Sequence, residues 1–247
     1  MTLPRTIAPQ QSGVSEPAYL KLHHAFFAVC MLLSPLTISL WFGLCPQYGD
    51  PACPNASHLS VLTAFREANP LLMQVFLFVN LMIPYVYPLS YIGLGQLTMK
   101  RSPWLTTIGI ASGFVGSIVW SLFAGETFWL NDIARLGLDT QFAMLGRAYI
   151  SNWEVFVMHG GWIIGHLLAY VLLGIALART RVIPLWAAYL IIVSAPVMGP
   201  IAYGTGLGLL QILGYVLVFI GSIPAALAML HFSDIRMGED KIVEAND

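Results

Sequence analysis

Apolar and polar positions fall along this chain in blocks rather than residue by residue. After a polar opening that ends at His23, six long runs with almost no charge follow, at about 25–44, 71–99, 103–124, 155–178, 182–203 and 207–230. Each holds about the 20 residues that a helix needs to cross the hydrocarbon of a bilayer. Between Glu67 and Lys100 there is no Asp, Glu, Lys, Arg or His. The expected fold class is therefore all-α, a polytopic transmembrane bundle of six helices, because a helix closes its backbone hydrogen bonds within one segment. A β-barrel would need ten-residue stretches of strict alternation, and the sequence lacks them.

The same pattern divides the chain into a polar segment 1–23, a membrane domain 24–231 and a polar tail 232–247. The opening lacks the short apolar core and small-residue cleavage site of a signal peptide, so the first run reads as a signal anchor. Pro84 and Pro88 predict a kink or tilt in the second helix, Pro196 and Pro200 a break in the fifth, and Pro224 one in the sixth, since proline removes a backbone donor. Two longer connections remain, 45–70 and 125–154. In the second, Trp129, Ile133 and Leu136 recur at helical spacing, which predicts a short amphipathic helix on the membrane surface.

Charge adds the orientation. Placing the N-terminus in the cytoplasm leaves Arg5, Lys21, Lys100, Arg101, Arg179, Arg181, Arg236 and Lys241 inside and only Arg66, Arg135 and Arg147 outside. That excess favours cytoplasmic termini at both ends. The long connections are then the outer loops. Cys45 and Cys53 fall in the first of them and are the candidate disulfide if that side is oxidising.

Composition sharpens the class. The chain is 57% hydrophobic and 9% charged, with mean hydropathy +0.75, against about 25% charged residues in soluble domains. A net charge of −1 gives no field to attract nucleic acid. The expected partners are the lipid bilayer itself and either a hydrophobic small molecule or other membrane subunits. Scarce intramembrane charge also argues against an ion-coupled transporter.

Asn69-Pro70-Leu71-Leu72 at the start of the second helix carries a resemblance, as does the stretch Leu173 to Ala188 with its Arg179-Thr180-Arg181-Val182-Ile183-Pro184-Leu185-Trp186-Ala187-Ala188 turn. With these the region 69–230 resembles bacterial polytopic membrane proteins of the DUF4386-like group, for which no activity is settled. The resemblance implies a helical fold in the bacterial cytoplasmic (inner) membrane and supplies no site. The outer loop with Cys45 and Cys53 departs from the pattern.

Candidate chemistry is confined to a few residues. Ionisable groups inside a bilayer are costly and mark function. His159 and His166 lie seven residues apart, on one helical face with Trp162 and Tyr170. Asn80, Pro84, Tyr87 and Tyr91 form a comparable stripe on the second helix, and the two faces are expected to meet in a polar pocket. The bland alternative is a pair of neutral histidines bonded to neighbouring helices. Two histidines about 10 Å apart on one helix cannot clamp a single haem iron, and only His58 lies where it could reach His159. No cofactor and no metal is expected.

A second constellation lies at the outer surface. Glu126 and Glu154, with Trp129 and Trp153 beside them, are candidates for a general acid acting on an apolar substrate. The simpler explanation is that acids suit a helix start and tryptophans the interface. Gly109 with Gly113, and Gly161 with Gly165, are small-residue pairs for close helix packing.

Three functions stay open: a bundle that binds a lipid or apolar small molecule between its second, third and fourth helices, a membrane-embedded acid–base enzyme acting on an isoprenoid or lipid, such as a cyclase, and an accessory subunit of a larger complex. In the enzyme reading Glu126 or Glu154 is the acid and His159 or His166 its partner. Asn80, Tyr87, Trp162, Tyr170, Trp129 and Trp153 would then contact the substrate.

Overall fold

The computed structural model describes residues 17–46, 58–137 and 152–231. Its elements are α1 (Ala18–Leu44), α2 (His58–Glu67), α3 (Pro70–Thr98), α4 (Pro103–Leu136), α5 (Trp153–Thr180), α6 (Leu185–Pro196), a π turn over Val197–Ile201, α7 (Ala202–Thr205) and α8 (Gly208–Leu230). No strand occurs among the described residues.

Five of these helices, α1, α3, α4, α5 and α8, are long and apolar enough to span a membrane. The sixth expected crossing is present in pieces. From Leu185 to Thr205 the chain stays helical but passes through the π turn, with Pro196 and Pro200 at its edges. At 1.5 Å per residue this path is about 31 Å long, enough to cross. Its neighbours confirm the traverse. Gly174 of α5 packs against Ile192 and Ala188, and Gly199 lies against Leu167. On the other side Gly221 of α8 meets Ala187 and Ile191, and Gly214 meets Met198. Both sets run antiparallel from one end of the broken helix to the other.

The helices close into a ring. α1 packs on α3, α3 on α4, α4 on α5, α5 on α6, α6 on α8, and α8 returns to α1, while α3 also touches α5 and α8 across the interior. Outward, Phe26, Phe78, Ile118, Ile164, Tyr189 and Leu209 are all exposed. A surface so apolar around its whole circumference belongs in lipid rather than water, so the chain is a multi-pass membrane protein. Trp104 and Trp186 are exposed beside the two tight turns, and Trp129 and Trp153 towards the other end, the two levels where tryptophan belts form.

At the tight turns the hydroxyls of Thr98 and Thr106 bond at 2.8 Å. Arg101 Nη1 donates to the Thr180 carbonyl at 3.0 Å, fastening the α3–α4 turn to the end of α5. Arg181 closes α5 in the left-handed conformation, with φ 52°.

The opposite end differs from the sequence expectation. α4 does not stop near Ala124. It runs unbroken for 34 residues to Leu136 and ends at Gly137, with φ 73°. The amphipathic segment expected as a separate surface helix is the last three turns of α4. The fall in hydropathy after Ala124 marks where the helix leaves the apolar layer, not where it ends. Gly125 alone, at about 1 kcal/mol in a helix interior, does not break it. α2, which falls in a stretch expected as loop, packs against this extension. Leu62, Phe65, Phe76, Cys45, Ile133 and Ala134 form a second core there, and Arg66 Nε donates to the Ala134 carbonyl at 3.0 Å. α1 also starts seven residues before its apolar run, directly after Pro17. Cys45 is buried at the end of α1; Cys53, and with it the expected disulfide, lies outside the described residues.

Candidate functional site: a tyrosine–histidine centre

The centre depends on how closely α4 and α5 approach. A side-chain carbon added at Gly165 would stand 2.6 Å from the Ser112 carbonyl, and one added at Gly116 would stand 3.0 Å from the His166 backbone nitrogen. Backbone meets backbone here, which only glycine allows. With α4 held against its back, α5 turns the face bearing Trp162, His166 and Tyr170 towards α3 and α8.

His166 is 3% exposed, and both ring nitrogens are engaged. Nδ1 lies 2.6 Å from the Tyr91 hydroxyl of α3, and Nε2 lies 3.1 Å from the Tyr215 hydroxyl of α8. Trp162 stacks on the imidazole with centroids 5.5 Å apart and planes 17° apart. Tyr170 meets it edge-on at 4.9 Å and Tyr87 lies at 5.0 Å. Counting from Thr180, His166 sits about 21 Å into the bundle, close to mid-membrane.

Further hydroxyls crowd behind Tyr91. That of Tyr170 faces those of Tyr87, Tyr91 and Ser34, yet as placed the Ser34, Tyr87 and Tyr170 oxygens fall outside hydrogen-bonding geometry. On the other side of His166 lies a small crevice with about 10 Å³ of space, room for one water-sized molecule. His166, Tyr215 and Gln211 supply its polar lining, and Trp162, Ile163, Leu167, Met198 and Gly199 the rest. Met198 and Gly199 belong to the π turn. Such turns open a helix locally and recur at functional sites.

The polar faces expected to meet do meet. Tyr87, Trp162, His166 and Tyr170 share one cluster. Asn80 is fully buried one level outward, where its Oδ1 accepts from Trp120 Nε1 at 3.1 Å, and Trp120 packs on Trp162 at 4.9 Å. The crevice, however, opens between α5, the π turn and α8 rather than among the second, third and fourth crossings.

The outer carboxylates part company. Glu126 is half-buried within α4, not at its end. It lies within electrostatic reach of His159, whose Nδ1 bonds the Val155 carbonyl at 2.8 Å and whose ring packs on Phe123 at 4.3 Å. Glu154 is exposed in the first turn of α5, and Trp153 and Trp129 are exposed as well. Glu126 therefore lies within the electrostatic influence of His159 without a direct bond to it, and Glu154, Trp129 and Trp153 stay on the surface. Among the described residues no group of three His, Cys, Asp or Glu side chains is placed to hold a metal.

Sequence reasoning put Tyr91 on its stripe without assigning it a role, and it missed Ser34, Gln211 and Tyr215. Gln211 and Tyr215 did leave a trace: an amide inside an apolar run, with an aromatic hydroxyl four residues on and thus on the same face. No family model, curated protein or solved structure matches the chain. The resemblance carried by 69–72 and 173–188 rests on those residues alone.

Proposed function

We propose that this is a multi-pass protein of the bacterial cytoplasmic membrane that binds a small apolar molecule, or the end of a lipid chain, carrying one hydrogen-bonding group. The crevice beside His166 is the proposed site. What carries the reading is the conjunction of a buried histidine, engaged at both nitrogens, with a mainly apolar crevice that carries three polar residues at a π turn. Ligand pockets combine apolar walls with a few converging polar groups in this way. As it stands the crevice has about 10 Å³ of room, space for one water-sized molecule, far below the ~300–1,000 Å³ of sites for drug-sized ligands, so an occupant must displace its lining.

The test is native mass spectrometry of the full chain, purified in mild detergent and exposed to a bacterial inner-membrane lipid extract. The wild type and Glu154→Gln are expected to retain a bound mass that Gln211→Leu and His166→Ala lose. A bare mass for the wild type sinks the reading.

The half-burial of Glu126 within electrostatic reach of His159 is what a second reading would rest on, acid–base chemistry on an isoprenoid or lipid at the outer end of α4 and α5. Glu126→Gln would then abolish turnover of such a substrate without altering what binds at His166.

A further inference from the structure

We propose that the two tight turns, α3–α4 and α5–α6, form a binding site for a phospholipid of net negative charge, with its phosphate at Arg179 and Arg181 and an acyl chain along α5. The site stands apart from the crevice beside His166 and does not depend on it.

Arg101 sets the geometry. Its 3.0 Å bond to the Thr180 carbonyl draws the first turn onto the second, which gathers Lys100, Arg101, Arg179 and Arg181 into one patch. All four are exposed. The guanidinium groups of Arg179 and Arg181 make no hydrogen bond or ion pair among the described residues. The described carboxylates, Glu67, Glu126, Asp132 and Glu154, all lie towards the opposite end of the bundle. Positive charges gathered in this way repel one another, and an anion set among them relieves the repulsion.

The backbone at Arg181 points the same way. Arg181 ends α5 at φ 52° and is the one non-glycine residue with positive φ among those described. α4 and α7 end in the same conformation with Gly137 and Gly206, which lack the β-carbon that clashes there. An arginine thus holds a glycine's position against a steric penalty, and what it adds at that point is charge. Setting the orientation of the chain requires basic residues on one side but no such strained position.

What lies below the charges selects a lipid over a free anion. Arg179 shares one face of α5 with Ile175, Leu168 and Ile164, and Leu168 and Ile164 are exposed. α4 and α6 pack on either side of α5. Next to the turns they carry the exposed pairs Trp104 with Ile108 and Trp186 with Tyr189. The cations therefore cap an apolar strip one helix wide, flanked by tryptophans at headgroup level. Basic clusters at that level hold anionic headgroups. A zwitterionic headgroup brings its own ammonium to the patch and is held less well.

The experiment is native mass spectrometry of the full chain in mild detergent, offered phosphatidylglycerol and phosphatidylethanolamine of identical acyl chains in equal amounts. Phosphatidylglycerol is expected to be retained preferentially. Arg179→Gln and Arg181→Gly should each weaken its binding about five-fold, the effect of one basic residue at a charged surface, while Arg179→Lys keeps it. Glycine suits the backbone at φ 52°, so Arg181→Gly should melt no lower than the wild type, and its loss of lipid is then not a loss of fold. Arg101 is left in place because it fastens the turns. Equal retention of the two lipids, or unchanged retention in the doubly substituted chain, overturns the site. Displacement of the lipid by an equal concentration of inorganic phosphate does so too, since it means an anion site without a chain. A preference that emerges only when Asp234, Glu239, Asp240, Glu244 and Asp247 are replaced by their amides assigns the patch to the chain's own tail and also overturns it. His166→Ala should keep this lipid, so failure of the patch and failure of the crevice are read separately.

Discussion

Asn80 and Ser34 are both fully buried, yet their removal is expected to differ in effect. Asn80 accepts the Trp120 indole hydrogen. Asn80→Leu leaves that N–H unpaired away from water but also removes the unbonded Asn80 amide nitrogen, so the net cost should be about 1 kcal/mol. The Ser34 oxygen is faced by the Tyr170 hydroxyl but meets it outside hydrogen-bonding geometry, so Ser34→Ala should leave the thermal midpoint unchanged or raise it slightly. Unfolding both variants in one detergent checks the pair, and a lower midpoint for Ser34→Ala would show that its hydroxyl has a partner after all. At this scale the sequence was half legible. Helical spacing placed Trp162, His166 and Tyr170 on one face. It could not say that Tyr215 completes the centre, because periodicity fixes a residue's side of its own helix and not the helix that faces it.

Helix contacts turn on single glycines, and they are not equivalent. Gly165 abuts the Ser112 carbonyl, whereas nothing lies within 4 Å of a carbon added at Gly160. Gly165→Ala must push two backbones apart and should destabilise by about 1–3 kcal/mol. Gly160→Ala, one turn away on the same helix, should be neutral or stabilising by up to about 1 kcal/mol. Equal midpoints for the two variants would mean that the α4–α5 contact is looser than described. Element existence was readable from hydropathy, and the break in the fifth crossing from Pro196 and Pro200. The length of α4 and the presence of α2 were not. Hydropathy reports what surrounds a helix, so it is silent on a helix that continues into water.

For the molecule as a whole, the order of crossings follows from chain sequence, while closure of the ring through α1 and α8 is a tertiary fact that no local pattern encodes. Orientation rests on the basic residues at the tight turns. In a chain whose three cysteines are replaced by serine, Ser102→Cys should react with an impermeant thiol reagent only after cells are opened. Leu136→Cys should react from outside, and the reverse pattern would invert the topology. The uninterrupted length of α4 also has a mechanical consequence. Ala134, gripped by Arg66, and Gly116, pressed on the His166 backbone, are 18 positions apart in one helix, about 27 Å along its axis. A rod of that kind is a lever: pivoted near Gly116, a swing of about four degrees moves its far end by about 2 Å. The Arg66 bond and the second core at the far end hold that lever still, so the same contacts that seat α2 also fix the tilt of α4 at the level of His166.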